Sequence, residues 1–170
     1  MSTVKATLRV LGILLGSLSV ISLAQAVLNV GLVPALEEFI TFYRSLAANV
    51  FGLLTALFGF IPPQPVFDFW TLSFLGASAY CRTEGIENCR ALRGLNLNPQ
   101  SLWWRIGLWL LFGFSGMGFG FAVSAIYPLT YVDFLHEEPP DLMRGAAMNL
   151  FWICAGVILF FVVNAYEPSR

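Results

Sequence analysis

Long stretches of this chain contain no charged residue, and this feature restricts the fold more than any other. Three of them, which the proline cluster at 62–65 does not interrupt, cover residues 10–36, 106–127 and 146–166. A helix rises about 1.5 Å per residue, so about 20 residues cross the roughly 30 Å hydrocarbon core of a bilayer. Each stretch is long enough to do so. The sequence therefore predicts an all-α integral membrane protein, with residues 1–170 forming a single transmembrane helical domain.

The composition also indicates that lipid is the main solvent. Hydrophobic residues make up 58% of the chain and charged residues 11%, whereas soluble domains are about 45–50% apolar and about 25% charged. The net charge of −1 provides no basic field that would attract nucleic acid. We therefore expect the chain to contact the lipid bilayer and to bind no nucleic acid.

Residues 34–81 are the hardest part of the sequence to assign. Pro34 followed by two glutamates is typical of a helix start, and the apolar face over 34–45 predicts an interfacial or re-entrant helix. An apolar run then continues to Ile61, where Pro62 and Pro63 stop any helix. A second short apolar run ends at Tyr80. We expect one crossing within 46–81.

The distribution of arginines and lysines selects a topology. Lys5 and Arg9 precede the first apolar stretch, and residues 82–105 carry four arginines. Basic loops stay in the cytoplasm, whereas the acidic segment 133–144 is free to be translocated. These positions agree for about four crossings, over 10–33, within 46–81, over 105–127 and over 146–166, with both termini in the cytoplasm of a bacterial-type inner membrane.

Two alternatives to this topology stay open at the level of sequence. Five crossings would place the arginine-rich loop outside, where Cys81 and Cys89 could form a disulfide. The first apolar stretch also resembles a secretory signal, with a possible cleavage site at Ala24-Gln25-Ala26. Both interpretations of that stretch leave the N-terminus in the cytoplasm.

Small residues four positions apart predict close helix packing. Gly116, Gly120 and Ser124 would line one face of the helix predicted over 105–127, and Gly12 and Gly16 repeat the spacing in the first span. Such residues let helix backbones approach closely in lipid. The pattern indicates contact between helices, within this chain or between subunits.

Three polar residues could form an intramembrane site. Asp68 is an acidic residue just after the proline break, and such groups in membranes often mark ion paths. The plainer interpretation is that Asp68 caps the helix that follows a surface turn. Asn149 and Asn164 lie in the last span, where an amide most simply bonds to a neighbouring helix.

No pattern in the sequence indicates a catalytic, cofactor or metal site. His136 lies in an acidic loop, lacks a second histidine at helical spacing and is followed closely by Pro139 and Pro140. We therefore expect a non-enzymatic accessory or scaffold subunit that acts through helix packing and polar loops. Its partners would be other membrane protein subunits or further copies of itself. The alternative is a small transporter or channel subunit that uses the segment around Asp68.

Overall fold

The computed structural model describes residues 2–56, 59–81, 98, 100–120 and 140–166. All regular secondary structure in these residues is helical, which confirms the all-helical prediction for this part of the chain. In chain order the helices are α1 (Ser2–Leu28), α2 (Pro34–Ala56), α3 (Gln64–Tyr80), α4 (Leu102–Ser115) and α5 (Pro140–Tyr166).

Three segments of these helices are long and apolar enough to cross a membrane: Ala6–Leu28, Pro34–Ala56 and Met148–Tyr166. Many of their large apolar side chains face outward from the protein. Leu53 on α2 is 76% exposed and Leu159 on α5 is 64% exposed. An isolated exposed leucine is ordinary, but rows of them on 19- to 23-residue helices fit a lipid-facing surface. The protein is therefore associated with membranes.

Helix α2 corrects the expected division of residues 34–61. The interfacial helix predicted over 34–45 is instead the first half of one continuous 23-residue helix. No proline follows Pro34 before Pro62, so nothing in the backbone ends the helix near residue 45. The Val33 carbonyl accepts the amides of Leu36 and Glu37 and so starts the helix. The proline break then separates α2 from the 17-residue helix α3.

Two helix ends fall inside stretches that the sequence predicted as spans. The span expected over 10–33 ends as a helix at Leu28, because Asn29 adopts the left-handed conformation with φ 52°. The span expected over 105–127 is interrupted after Ser115, because Gly116 has φ 80° and caps α4. Glycine enters this conformation at little cost. Residues 121–127 lie outside the described part of the chain.

The chain divides into two compact units. The first contains residues 1–71 and 151–170, and in it α1 packs against α2. Phe51 of α2 contacts Phe67 and Trp70 of α3, with ring centroids 6.0 Å and 5.7 Å away.

The second unit contains residues 72–150. There the Phe74 ring packs on Trp109, with centroids 4.6 Å apart. The Ser73 hydroxyl donates to the Phe112 carbonyl over 3.0 Å, and the Arg105 Nε donates to the Cys81 carbonyl over 2.8 Å. Ser73 pairs with Phe112, near the end of α4, and the later residue Cys81 pairs with Arg105, near its start. The two segments therefore run antiparallel.

Candidate functional site

Asp68 is the centre of a polar cluster in the first unit. It is the fifth residue of α3 and its exposure is 0%, so it does not act as a surface cap. Its Oδ1 accepts a hydrogen bond from Gln64 Nε2, one turn earlier, over 3.0 Å. Its Oδ2 is buried and has no hydrogen-bond partner among the described residues. A buried oxygen left in this state is costly, which makes it the chemically distinctive atom of the cluster.

Helix α1 supplies two fully buried hydroxyls to this cluster. Ser19 and Ser22 both have 0% exposure. The Ser19 Oγ donates to the backbone carbonyl of Asp68 over 2.6 Å, and the Ser22 hydroxyl interacts with the Asp68 carboxylate. With Gln25 they occupy positions i, i+3 and i+6, so the three polar side chains share one face of an otherwise apolar helix.

Helix α2 supplies the charge that balances the carboxylate. The Arg44 guanidinium donates from Nε to Ser22 Oγ over 2.9 Å and from Nη2 to Gln25 Oε1 over 2.8 Å. It also attracts the Asp68 carboxylate electrostatically. Ser22 therefore lies between the two opposite charges and interacts with both.

Two further hydroxyls, of Tyr43 and Thr71, form a hydrogen-bonded chain beside the carboxylate. Tyr43 of α2 is 2% exposed, and its hydroxyl lies beside the Asp68 carboxyl. Its proton is directed to Thr71 Oγ1 over 3.2 Å, and the Thr71 hydroxyl donates to the Phe67 carbonyl over 2.9 Å. Because the Tyr43 proton is used on Thr71, the lone pairs of the Tyr43 oxygen are available to a second donor.

The cluster lies near the middle of two candidate spans. Ten residues of Pro34–Ala56 precede Arg44 and twelve follow it, and Ser19 lies two residues past the midpoint of Ala6–Leu28. Two residues correspond to about 3 Å along a helix. A charged side chain at the centre of a membrane helix costs roughly 2.5–3.5 kcal/mol on insertion scales, so such residues need partners. The cluster provides such partners for Arg44 and Asp68.

Asn164 is used elsewhere in the first unit. Its Oδ1 accepts the Val33 amide over 2.8 Å, and its Nδ2 donates to the Gly31 carbonyl over 3.1 Å. The end of α5 is thus tied to the connection between α1 and α2. Asn149 belongs to the second unit and has an interaction of its own. Asn164 therefore bonds to the connection between α1 and α2, and the sequence-based grouping of Asp68 with the two asparagines stays a prediction.

Two glycines outside the predicted small-residue pattern make close contacts, whereas Gly120 of that pattern makes none. Gly116 ends α4, so it is not on a common helical face with Gly120, and a Cβ on Gly120 would meet open space. Ser124 lies outside the described residues. Close contacts occur instead at Gly113, whose Cβ would meet the Phe74 ring, and at Gly118, whose Cβ would meet the backbone of Ser73.

In the first unit the close approach involves α1 and α5. A Cβ on Gly156 would lie 2.6 Å from Ser17 Oγ, and that hydroxyl donates to the Ile153 carbonyl over 3.2 Å. Of the two α1 glycines indicated by the sequence, Gly16 is buried and Gly12 is partly exposed.

Cys81 carries a free thiol and is buried directly after α3. Burial raises the pKa of the Cys81 thiol to about 11, and the nearby Arg105 guanidinium partly opposes this shift. A thiol of this kind reacts slowly near neutral pH. Cys89, its possible disulfide partner, lies outside the described residues.

Sequence reasoning located Asp68 but missed the residues that surround it. Arg44 was assigned to an interfacial helix, because the predicted boundary near residue 45 placed it at the membrane surface. The face formed by Ser19, Ser22 and Gln25 was the available signal, since three polar side chains recur at helical spacing within an apolar stretch.

Comparison of the chain with protein-family models, with curated proteins and with solved structures finds no match.

Proposed function

We propose that this protein is a non-enzymatic accessory or scaffold subunit of a membrane complex. One observation carries the proposal: polar side chains in the first unit are used to join helices, while large apolar side chains face outward. Ser17, Arg44 and Asn164 each bond to another helix or connection of the unit. A unit fixed internally in this way presents a preformed apolar exterior to lipid and to neighbouring subunits, including further copies of the chain.

The proposed topology has about four crossings with both termini in the cytoplasm of a bacterial-type inner membrane. Helix α2 serves as the second crossing, since its 23 residues reach about 34 Å. Helix α3, with 17 residues and about 25 Å, is short for a span and is proposed to re-enter from the cytoplasmic side. This arrangement keeps residues 82–105 inside, as their arginines favour. A crossing by α3 gives the five-span alternative.

The first experiment tests for a stable partner in the native membrane. The full chain carries a photo-crosslinking residue at the outward-facing position 53 or 107, and crosslinked products are compared with the complex that co-purifies in mild detergent. We expect a defined crosslinked species of reproducible stoichiometry. A chain that stays monomeric in several mild detergents and crosslinks only to lipid contradicts the proposal.

A matched pair of glycine variants separates partner binding from folding. A Cβ at Gly107 would meet open space, whereas a Cβ at Gly118 would meet the Ser73 backbone. Gly107→Leu adds bulk only to the exterior, so a partner on that face is lost while the melting temperature is kept. Gly118→Leu lowers the melting temperature itself and serves as the folding-defect control.

A second candidate function is a small transporter or channel subunit. The observation that favours it is the fully buried Asp68, which has one carboxylate oxygen without a partner among the described residues. Asp68 lies four residues after Gln64, where the helix that follows the proline break begins. Ionisable groups at such breaks commonly take part in ion movement. Asp68→Asn should abolish a proton or cation flux in proteoliposomes while the helical circular dichroism is unchanged. A flux that is equal in the wild type and the variant contradicts this candidate.

A further inference from the structure

We propose that Asp68 is an exchangeable proton-binding site, which takes up and releases a proton on Oδ2 inside the cluster formed by α1, α2 and α3. The inference deepens the second candidate function by naming its ion. It rests on that function only for the movement of the proton across the membrane, since binding of the proton is a property of the cluster itself.

The two carboxylate oxygens of Asp68 have different surroundings. Oδ1 of Asp68 is bonded to Gln64 over 3.0 Å, whereas Oδ2 is fully buried without a partner. A carboxylate whose second oxygen has no donor is poorly stabilised in a dry interior. A proton on Oδ2 converts this oxygen into a hydrogen-bond donor. The protonated carboxyl then needs an acceptor nearby, whereas the ionised carboxylate would need a donor.

The Tyr43 hydroxyl can serve as the acceptor for a proton on Asp68. The Thr71 hydroxyl donates its proton to the Phe67 carbonyl, so Tyr43 is the donor in its bond to Thr71. The lone pairs of the Tyr43 oxygen are then available to accept a second hydrogen bond. The Tyr43 hydroxyl lies beside the Asp68 carboxyl. This order of donors suits a protonated Asp68. Rotation of the Tyr43 hydroxyl towards Oδ2 would suit the ionised form, so the same three side chains accommodate both states.

Ionised Asp68 adds a negative charge to the cluster. Tyr43 and Arg44, both on α2, are the titratable side chains that act on Asp68 among the described residues, and α1 contributes the neutral hydroxyl of Ser22. When Asp68 releases its proton, the Arg44 guanidinium compensates the new negative charge. When Asp68 is protonated, Arg44 keeps its hydrogen bonds to Ser22 and Gln25. Arg44 therefore has partners in both states.

The same geometry favours a proton over a metal cation. A metal ion needs several oxygen ligands, but Ser22 Oγ and Gln25 Oε1 already accept hydrogen bonds from Arg44, and Thr71 Oγ1 accepts one from Tyr43. The described residues contain no group of three or more His, Cys, Asp or Glu side chains. Arg44 would in addition repel a second cation. A proton needs a single free oxygen, and Oδ2 of Asp68 is one.

The test follows the infrared carbonyl band of protonated carboxyl groups, which carboxylates lack, with the full chain in lipid nanodiscs across the pH range in which it stays folded. The proton moves between Asp68 and water, so protonation forms one O–H bond and converts one hydronium ion to water. Because the chain has ten Asp and Glu residues and every protonated carboxyl absorbs in this region, the signal is the wild-type minus Asp68→Asn difference spectrum. We expect one band in this difference spectrum, and we expect it to titrate with pH. The control is Glu38→Gln, which removes an exposed carboxyl from α2 and should leave this band in place.

Three further variants keep the Asp68 carboxyl and remain informative if Asp68→Asn does not fold. Arg44→Gln removes the compensating charge and should move the titration midpoint of the band to higher pH, whereas Arg44→Lys should move it less. Tyr43→Phe removes the acceptor and should change the frequency of the band. A difference spectrum without a titrating band, or a midpoint of that band unaffected by Arg44→Gln, overturns the proposal.

The flux experiment then separates this inference from the transport function. A titrating Asp68 band in a protein without proton flux removes the transporter candidate and leaves the binding site standing. A flux that depends on Asp68 without any titrating band supports the transporter candidate and overturns the proton site.

Discussion

The Arg44 guanidinium of α2 and the Ser22 hydroxyl of α1 are joined by a 2.9 Å hydrogen bond between two candidate spans. The same guanidinium reaches the Ser22 carbonyl at 3.3 Å and Gln25 Oε1 at 2.8 Å. One side chain therefore connects two helices by three bonds. In lipid, where apolar surfaces do not drive association, such bonds and close packing hold helices together.

Replacement of Arg44 by methionine should destabilise the folded protein by about 1–3 kcal/mol, since charged hydrogen bonds are lost and Ser22 and Gln25 lose a partner. Arg44→Lys should be intermediate, because a lysine ammonium lacks the planar fork that reaches two acceptors at once. The measurement is the unfolding free energy in detergent micelles. Ser45→Ala, at the exposed neighbouring position, should change it by less than about 0.5 kcal/mol. Equal effects at positions 44 and 45 would contradict the connecting role of Arg44.

Gly118→Ala should destabilise the second unit by about 1–3 kcal/mol, because the added methyl group must displace backbone atoms. Its Cβ would meet the Ser73 carbonyl and lie 2.8 Å from the Ala77 amide nitrogen. Gly107→Ala, on the open face of α4, should be neutral or stabilise by up to about 1 kcal/mol through helix propensity. Melting temperatures of the two variants in the same detergent give the comparison. A neutral Gly118→Ala would show that this close approach is absent.

The sequence predicted the helical class of this protein well because the solvent leaves little choice. Backbone groups in lipid must be bonded within the chain, so a charge-free stretch such as residues 146–166 has to be helical. Helix α5 covers that stretch completely. The new start at Gln64 likewise follows from Pro62 and Pro63, which restrict the backbone locally. Helix α2 closes earlier, where Gly59 has φ 65° and the Phe60 amide bonds to the Thr55 carbonyl.

The internal helix ends and the surroundings of Asp68 could not be predicted in the same way. Gly116 looks like any packing glycine until its φ of 80° is known, because glycine suits both a helix and a left-handed cap. Arg44 looks like a surface residue beside an amphipathic start. Only the three-dimensional pairing of α2 with α1 brings it to Ser22 and Gln25, and that pairing is not encoded in local periodicity.

Asn164→Leu should loosen the connection between α1 and α2, because the Val33 amide and the Gly31 carbonyl both lose their side-chain partner. We expect a loss of about 1–2 kcal/mol and faster amide hydrogen exchange at residues 29–33. Asn164→Asp keeps an acceptor for the Val33 amide and loses only the donor, so its effect on the Val33 exchange rate should be smaller. Identical exchange rates in all three proteins would contradict this role.

The two described cysteines should resist water-soluble maleimides in intact membranes for different reasons. Cys154 is exposed on the surface of the α5 segment Met148–Tyr166, so it should face lipid. Cys81 is buried in the protein, and the elevated pKa of its thiol, about 11, leaves little reactive thiolate at neutral pH.

Single-cysteine variants allow each position to be measured alone, with Gln100→Cys at an exposed polar position as the reactive reference. In micelles, where detergent replaces the bilayer, an apolar maleimide should modify Cys154 while Cys81 stays slow until the protein unfolds. Raising the pH towards 11 should accelerate modification of Cys81, because its thiolate fraction rises as the pH approaches its pKa. Rapid modification of Cys154 by a water-soluble reagent in intact membranes would show that α5 faces water, and would remove the crossing that the topology assigns to it.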